Sequence, residues 1–304
     1  KAMVHDLDNL VDSFQGKKTK KLKILVFLMF DHIGGLNTLL NTLAMGASVI
    51  LPENRNPKYI GGLIEKYKVN VLPSTPTFLN MLLMARVNDK YNLKSLKMIT
   101  YGTETMPESV LLKLKETFPR TRLMQTFGTS ETGIAQTSSR SSNSLEMKLD
   151  DPNTEYKIVN NELWLRSQTQ VLGYLNADMS SFTEDGWFQT GDLVESFDEG
   201  YIKIVGRSKE VINVGGEKVL PSEVESVILE LDIVDDCMVY SEKNAITGQM
   251  VAVQLVLHEG VSERNAKKII RTHCRGKLDS YKVPARFKFS EKTTFGERFK
   301  KMRL

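Results

Sequence analysis

Residues 186–225 of this 304-residue chain, GWFQTGDLVESFDEGYIKIVGRSKEVINVGGEKVLPSEVE, hold the densest set of informative side chains. A carboxylate follows a glycine at Gly191-Asp192, and an Arg-Ser-Lys segment begins at Arg207. A carboxylate can accept hydrogen bonds from two adjacent hydroxyls, and a guanidinium offers a rigid fork of donors. We therefore expect Asp192 and Arg207 to bind the polar edge of a ligand.

The same stretch ends in a segment that indicates a joint between two parts of the chain. Gly215 and Gly216 give the backbone a freedom that residues with a Cβ lack, and Pro221 suits the first turn of a helix. Each feature alone is also typical of a turn or of surface charge. Their fixed order is what favours a ligand-binding unit followed by a joint.

Composition excludes several classes of protein. With 41% hydrophobic and 26% charged residues, the chain is globular and long enough for two domains. The net charge of +4 forms no basic stripe interleaved with aromatics, so we expect no nucleic-acid partner. Cys237 and Cys274 match neither a zinc motif nor a disulfide framework. Two cysteines outside any disulfide framework fit a reducing environment, so we expect a cytoplasmic protein. The longest apolar run, at 24–30, is too short to span a bilayer.

Strand and helix patterns alternate through the first part of the chain. Short apolar runs predict strands at 24–30, 48–51, 69–72, 96–100 and 123–127. Helical periodicity predicts helices at 4–14, 36–44, 57–67, 75–85 and 107–117. This alternation predicts a parallel or mixed sheet covered by helices, with ligands near the carboxyl ends of the strands.

The later part of the chain predicts a different architecture. Residues 138–151 are rich in Ser, Asn and Asp without a period, which indicates a loop. Alternating strands from about 150 to 206 predict a small β-rich subdomain that completes a large domain, 1–206. Mixed helix and strand patterns over 207–304 predict a separate small α+β domain. The expected fold class is α/β, followed by this α+β carboxy-terminal domain.

A second polar motif, Gly128-Thr129-Ser130-Glu131-Thr132-Gly133, follows the strand predicted at 123–127. Hydroxyls and backbone N–H groups can surround phosphate, and a glutamate can hold Mg²⁺ against phosphate oxygens. The alternative is a polar turn that caps a helix.

Taken in order, these motifs resemble those of the adenylate-forming superfamily, which comprises acyl- and aryl-CoA synthetases, peptide-synthetase adenylation domains and luciferases. Its late motifs are similar to residues 190–192, 206–209 and 215–223, and its (Y/F)GxTE motif to 127–131. Its adenine-binding segment corresponds to 101–104. The resemblance implies ATP-dependent activation of a carboxylic acid as acyl-AMP, followed by transfer to a thiol.

The resemblance also implies a role for each matching residue. The nucleotide would be bound by Gly102, Thr103, Glu104, Phe127, Gly128, Thr129, Ser130, Asp192 and Arg207. Glu131 would bind Mg²⁺, Lys209 would be the hinge of the small domain, and the Gly215-Gly216 loop would reach the thiol tunnel. The implied cofactors are ATP or AMP, Mg²⁺ and the thiol of CoA or phosphopantetheine. The implied partners are a small carboxylic acid and either CoA or an acyl or peptidyl carrier protein.

Two positions depart from the family pattern. The family's phosphate loop, TSGTTGxPKG, ends in a Lys that matches Lys1, so we expect a fragment that lacks this loop. The family's PxTxxGKxxR motif has a catalytic Lys where this chain has Glu297. Either Lys300 or Lys301 takes its place, or the chain forms adenylate poorly.

The sequence leaves alternatives open for the residues that would bind the acid substrate. His32 follows a predicted strand where the family lines its acid pocket, and it is either an acid-binding or a structural histidine. Asp31 is either a clamp for the ammonium of an amino-acid substrate or a turn residue. The first hypothesis is an acyl- or aryl-CoA synthetase-like enzyme. Its alternatives are an amino-acid adenylation module that loads a carrier protein and a nucleotide-binding homologue that has lost catalysis.

Overall fold

The computed structural model describes residues 1–291 and Lys301. The amino-terminal region alternates strands and helices. Its elements are β1 (Met3–Val4), α1 (Leu7–Asp12), β2 (Lys23–Leu25), α2 (Ile33–Ala44), β3 (Ser48–Ile50), α3 (Pro57–Tyr67), β4 (Val71–Ser74), α4 (Pro76–Met84), α5 (Val87–Lys90), β5 (Met98–Tyr101), α6 (Glu108–Thr117) and β6 (Arg122–Gln125). Five strands form a parallel sheet in the order β3-β2-β4-β5-β6, as the alternation predicted.

Residue types at the helix ends explain why these segments fold locally. The Asn56 side chain accepts a hydrogen bond from the N–H of Lys58 at the start of α3, and Pro57 occupies the first turn. Thr75 caps α4 in the same way and is also followed by a proline. A capped start with proline in the first turn is a strong local helix signal, which is why α3 and α4 were predicted closely.

The central region is rich in short strands. They are β7 (Phe127–Thr129), β8 (Gly133–Ala135), β9 (Thr137–Ser139), β10 (Met147–Leu149), β11 (Thr154–Val159), β12 (Glu162–Ser167), β13 (Gly173–Tyr174), β14 (Phe188–Ser196) and β15 (Ile202–Arg207). Six of them form an antiparallel sheet in the order β11-β12-β14-β15-β10-β9. The prediction of a loop over 138–151 was wrong, because β9 and β10 in this part of the chain form the last two strands of the sheet. In that segment only Met147 and Leu149 show the alternation of buried apolar residues that marks a strand. Two such positions are too few to be recognised among polar neighbours.

The carboxy-terminal region forms its own sheet. Its elements are β16 (Ile212–Val214), β17 (Glu217–Val219), α7 (Pro221–Ile228), β18 (Val234–Asn244), β19 (Gly248–Leu257), α8 (Glu263–Lys277) and β20 (Arg286–Phe289). The strand order is β17-β16-β19-β18, and β20 pairs with β19. Gly215 (φ 63°) and Gly216 (φ 99°) form the turn between β16 and β17, where two positive φ values suit a tight hairpin. The glycines predicted as a joint therefore form a hairpin turn.

The carboxy-terminal region packs against the parallel-sheet region through α7 and the start of β18. Asn80 Nδ2 donates to the carbonyl of Asp235 at 3.0 Å, and Lys113 Nζ donates to that of Leu229 at 3.1 Å. Buried apolar residues of the two regions form one continuous cluster. The predicted fold class is confirmed. Within the described part of the chain, none of the helices has the length and hydrophobicity needed to cross a bilayer.

Candidate active site

A cavity of about 570 Å³ lies where the carboxyl ends of β5 and β6 meet β7, β14 and the end of β15. We call it the polar cavity. Its walls bring together all the predicted nucleotide-binding and metal-binding residues, which are Gly102, Thr103, Glu104, Phe127, Gly128, Thr129, Ser130, Glu131, Asp192 and Arg207. Lys209 and Lys301 also line it. Residues from distant parts of the sequence thus converge on one site.

Asp192 and Arg207 meet because the β14–β15 hairpin places them directly opposite each other. Arg207 Nε donates to Asp192 Oδ1 at 3.0 Å. Asp192 is buried, whereas the Arg207 side chain is 56% exposed. A carboxylate has about four lone-pair sites, so Asp192 can accept from Arg207 and from ligand hydroxyls together.

The turn before Asp192 is held by Thr190, which belongs to the motif at 190–192, and by Glu162, which the sequence did not single out. Thr190 Oγ1 donates to the carbonyl of Leu163 at 2.6 Å and accepts from the N–H of Asp192 at 3.0 Å. Glu162 Oε1 accepts from the N–H of Gly191 at 2.9 Å. Glu162 also lines the polar cavity, and no local pattern marks it, because its role depends on the pairing of β12 with β14.

Glu131 lies in the turn between β7 and β8, next to Tyr174. The Tyr174 hydroxyl donates to Glu131 Oε1 at 2.9 Å, and burial together with this bond raises the pKa of Tyr174. Among the residues described, no three His, Cys, Asp or Glu side chains are grouped as a complete metal site. Mg²⁺ commonly takes one or two carboxylates plus phosphate oxygens, so Glu131 alone fits a metal held partly by a nucleotide.

The motif at 127–133 forms the β7–β8 hairpin and does not cap a helix. Thr129 Oγ1 accepts from the N–H of Thr132 at 3.1 Å and shares a 2.9 Å hydrogen bond with its hydroxyl. A Cβ at Gly128 would lie 2.4 Å from the carbonyl oxygen of Gly133, so only glycine allows this close approach. The turn thereby presents Ser130 and Glu131 to the polar cavity.

Glu104 connects the segment after β5 to the carboxy-terminal tail. Its Oε1 accepts from the N–H of Thr77 at 2.8 Å, and its Oε2 accepts from the N–H of Lys301 at 3.3 Å. Burial raises the pKa of the Glu104 carboxyl, and the Thr77 and Lys301 contacts oppose that rise. Both carboxylate oxygens are therefore committed to protein donors.

Lys301 lines the polar cavity, but its ammonium points into the carboxy-terminal region. Its Nζ lies 3.3 Å from Glu225 Oε2, 3.5 Å from Asp236 Oδ1 and 2.5 Å from the carbonyl oxygen of Cys237. All three partners are buried. This arrangement does not present the ammonium of Lys301 to a phosphate. The alternative, Lys300, and the substituted position Glu297 lie outside the described residues.

A second cavity, of about 280 Å³, opens beside the first between α2 and the parallel sheet. The two cavities share the residues His32, Gly102, Thr103, Thr126, Phe127 and Gly128. His32 Nδ1 accepts from the N–H of Gly34 at 3.2 Å, which places the proton of the neutral ring on Nε2. His32 thus caps α2 and lines the junction of the cavities, so its two predicted roles are compatible.

Two predicted site positions are not brought to these cavities. Asp31 is an exposed residue before α2 and lines neither of them. Gly215 and Gly216 also line neither cavity. The ammonium clamp and the thiol-tunnel loop thus have no contact with the candidate site in this arrangement of the two regions.

The parallel sheet, the antiparallel sheet and the carboxylate-lined cavity define an α/β protein with a polar cavity in the size range of ligand pockets and a carboxy-terminal α+β region. The AMP-binding enzyme model matches residues 1–175, and the AMP-binding enzyme C-terminal domain model matches residues 223–295. The first match covers more than half of the chain, which therefore belongs to the AMP-binding enzyme family, as its adenylate-forming motifs indicated.

Curated relatives agree with this membership. The chain is 29% identical to 4-coumarate-CoA ligase 1 of Narcissus pseudonarcissus, over 81% of the chain and 50% of the relative. It is 30% identical to acyl-CoA synthetase 7 of Caenorhabditis elegans, over 85% of the chain and 50% of the relative. It spans about half the length of these relatives.

The solved structures are similar in fold at lower identity. The anthranilate CoA ligase AuaEII in complex with anthranoyl-AMP matches with a TM-score of 0.81 and 20% identity, over 95% of this chain and 60% of that one. ATP-bound MatB from Rhodopseudomonas palustris matches with a TM-score of 0.76 and 21% identity, over 95% of this chain and 60% of that one. These likenesses support the α/β architecture described above.

Proposed function

We propose that this chain belongs to an enzyme that activates a small carboxylic acid with ATP and passes the acyl group to the thiol of CoA. The observation that carries the proposal is the junction of the polar cavity with the second cavity. A nucleotide in the first and an acid in the second would meet beside His32 and Thr103. The named relatives, both CoA ligases or synthetases, support this choice.

In the first step, an oxygen of the acid would attack the α-phosphorus of ATP, and the bond to pyrophosphate would break. Asp192 would accept from the ribose hydroxyls and Arg207 would lie beside them, which fixes the nucleotide in the geometry of attack. Glu131 would hold Mg²⁺, whose charge offsets that of the phosphates.

In the second step, the thiol sulfur would form a bond to the acyl carbonyl carbon, and AMP would leave. The Gly215-Gly216 hairpin lies outside the walls of the polar cavity, whereas Lys301 lines it. We infer that thioester formation uses another orientation of the carboxy-terminal region. Lys209, in the short helical turn between β15 and β16, is the proposed hinge.

The first test is the binding of AMP to the 304-residue chain, measured by isothermal titration calorimetry. Asp192→Ala should weaken AMP binding about 10- to 100-fold, because hydrogen bonds to a charged group contribute about 1.5–3 kcal/mol. Asp198→Ala, in the exposed turn between β14 and β15, is the matched control and should bind AMP like the wild type. Absence of AMP binding, or equal binding by Asp192→Ala, contradicts the proposal.

The second test addresses the class of reaction. The chain, extended before Lys1 by a phosphate loop of the family form TSGTTGxPKG, should exchange labelled pyrophosphate into ATP with carboxylic acids and should consume CoA thiol. Exchange with amino acids alone would favour the carrier-loading alternative. That alternative lacks support here, because Asp31 does not reach either cavity.

A further inference from the structure

The walls of the second cavity carry no formal charge. They come mainly from one face of α2 and from one face of the parallel sheet, and the segment before α2 and the β7–β8 hairpin complete them. None of their residues, taken over the described chain, is Asp, Glu, Lys or Arg, and we therefore call this space the neutral cavity. At about 280 Å³ it lies at the small end of ligand pockets, which typically measure about 300–1,000 Å³.

The periodicity of α2 shows which side chains face the neutral cavity. Gly34, Asn37, Asn41 and Met45 recur at intervals of three and four residues, and so lie on one face of the helix. Thr38 and Thr42 belong to the same face. The lining of the cavity by α2 is thus mostly polar but uncharged.

Strand alternation gives the opposite wall. Pro73, Thr100 and Met124 are directly paired neighbours on β4, β5 and β6, and all three line the neutral cavity. Their chain neighbours Leu72 and Ile99 belong instead to the buried apolar core. Side chains of successive residues point to opposite faces of a sheet, so the side chains of Pro73, Thr100 and Met124 form this wall.

Both hydroxyls of the α2 face are already used within the helix. Thr38 Oγ1 donates to the carbonyl of Gly34 at 2.7 Å, and Thr42 Oγ1 donates to that of Thr38 at 2.6 Å. Asn41 Nδ2 donates to the carbonyl of Asn37 at 3.0 Å. The Asn41 side-chain oxygen and the Asn37 carboxamide are left to meet a ligand, as far as the described residues extend.

A charged group on the acid, other than its reacting carboxylate, would have no oppositely charged partner in this cavity. A buried carboxylate or ammonium needs an opposite charge or several hydrogen bonds, and the walls offer only neutral groups. A buried hydroxyl or carbonyl, in contrast, can be satisfied by one carboxamide. The cavity therefore selects against charge and accepts neutral polar groups.

Gly34 keeps the cavity open where α2 begins. A Cβ there would lie 3.2 Å from Leu28 Cδ1, 3.5 Å from His32 Nδ1 and 4.0 Å from Thr103 Cγ2. Gly34 lines the neutral cavity and not the polar one. A larger residue at this position should thus reduce the room for an acyl group without contacting the nucleotide.

We propose that the acid is compact, is uncharged apart from its reacting carboxylate, and offers a hydroxyl or carbonyl group to Asn37 and Asn41. Hydroxyaryl acids are the chemical class that fits these conditions. Dicarboxylic acids and free amino acids do not fit. This inference rests on the proposed function, since it assigns the neutral cavity to the acid.

The test compares non-hydrolysable acyl-sulfamoyl adenosines, which carry the same adenosine and differ only in the acyl group. The 4-hydroxybenzoyl compound should bind about fivefold tighter than the benzoyl compound, because one neutral hydrogen bond is gained. It should bind at least about 100-fold tighter than the 4-carboxybenzoyl and phenylalanyl compounds, whose charges would be buried without a partner. Calorimetric titration of the 304-residue chain gives each affinity.

Two variants separate the neutral cavity from the polar one. Gly34→Val should weaken the 4-hydroxybenzoyl compound at least about tenfold, since the added side chain occupies its space. Asn37→Lys should strengthen the 4-carboxybenzoyl compound at least about tenfold relative to the wild type, because it supplies a cation. AMP affinity and circular dichroism of each variant verify that it is folded.

The outcomes distinguish the two proposals. If AMP and all the adenosine compounds fail to bind the wild type, the proposed function fails. If AMP binds, but the 4-carboxybenzoyl or phenylalanyl compound binds as tightly as the 4-hydroxybenzoyl compound, only the substrate class is overturned. Unchanged affinity of Gly34→Val for the 4-hydroxybenzoyl compound would likewise reject the neutral cavity as the acyl site.

Discussion

The polar and neutral cavities share six residues but differ in the chemistry of their walls. The polar cavity has the carboxylates of Glu131 and Asp192 and the cation of Arg207, which lie on hairpins and strand ends. The neutral cavity is enclosed between α2 and the parallel sheet. The charged groups thus line the polar cavity, whether buried as Asp192 is or exposed as Arg207 is, and the layer between α2 and the parallel sheet contributes neutral groups.

This difference indicates how one site can treat two anionic ligands in different ways. A nucleotide has many polar atoms that charged residues can hold, whereas an acyl group has few. An unpaired charge inside an α/β layer is costly, so the neutral wall follows from the position of the cavity within the fold. We therefore expect variants of the polar cavity to change nucleotide affinity and variants of the neutral cavity to change acyl selectivity.

The largest effect should come from Lys301→Met, at one edge of the polar cavity. This change leaves the buried carboxylates of Glu225 and Asp236 without their cation, which should lower the free energy of unfolding by about 3 kcal/mol. AMP affinity should change by less than about threefold, because the ammonium faces the carboxy-terminal region. Urea denaturation and calorimetry measure the two quantities.

The matched control for this prediction is Lys288→Met. Lys288 pairs with Glu242 at 3.0 Å, but its side chain is 54% exposed, and exposed ion pairs contribute about 0–1 kcal/mol. If Lys301→Met kept its stability and lost AMP affinity tenfold, the ammonium would serve the nucleotide. The Lys301 ammonium would then count among the charged groups of the polar cavity.

Arg207→Ala should weaken AMP binding about tenfold, or about 1.4 kcal/mol, because Asp192 loses the donor that orients it. Arg166→Ala is a close control. Arg166 and Glu155 are also an opposed Arg–carboxylate pair, 2.6 Å apart in the same antiparallel sheet, and neither lines the polar cavity. Equal losses for the two variants would show that sheet stability, and not the site, controls AMP affinity.

The sequence predicted best the features that depend on short spacing. Asp192 and Arg207 flank a hairpin with an Asp-Glu-Gly turn at its tip, so the pairing of the two strands could be expected from turn chemistry. A one-residue register shift between Leu193 and Val194, which the sequence did not predict, brings Arg207 opposite Asp192. The helices α3 and α4 were predictable from their caps and prolines. The resemblance carried by the order of the motifs predicted that the proposed nucleotide-binding residues share one site, and they line the same cavity.

Features that depend on tertiary pairing were not predictable. Strands β9 and β10 have three residues each and become visible only through their partners in the sheet. The direction of the Lys301 ammonium depends on Glu225 and Asp236, which lie far away in sequence. Glu162 enters the polar cavity through strand register alone.

Glu104 should make stability depend on pH. Because burial raises the pKa of its carboxyl in the folded chain above the ordinary value of 4.5, the folded state binds more protons than the unfolded state above that pH. Its contribution to stability is therefore complete below pH 4.5 and is lost as the pH rises through the raised pKa. Glu104→Gln should flatten this part of the stability curve, measured by urea denaturation at a series of pH values.

The slope with pH is the informative quantity for Glu104→Gln. A glutamine amide group must face one of the two N–H donors, from Thr77 or Lys301, and this adds an offset that does not vary with pH. Glu116→Gln, at an exposed position on α6, should leave the slope as it is in the wild type. An unchanged slope in Glu104→Gln would mean that the Glu104 carboxyl does not contribute to the pH dependence of stability.

The smallest effect should come from Thr103, which borders both cavities. It has a φ of 74°, and its buried Oγ1 has no partner among the described residues. A left-handed conformation costs a β-branched residue about 1–2 kcal/mol, and glycine adds about 0.5–1 kcal/mol of chain entropy to the unfolded state. Thr103→Gly should thus stabilise the chain by up to about 1 kcal/mol, measured by urea denaturation, and weaken AMP binding about threefold.

Lys68→Gly is the matched control, since Lys68 has a φ of 55° at the end of α3 and lines neither cavity. It should gain similar stability and keep its affinity for AMP. Backbone strain persists where the surrounding structure requires it, and a ligand contact is one such requirement. If Thr103→Gly gains stability and keeps full affinity, then Thr103, like Lys68, only terminates a segment, and the junction between the cavities is shaped by Gly102 and His32.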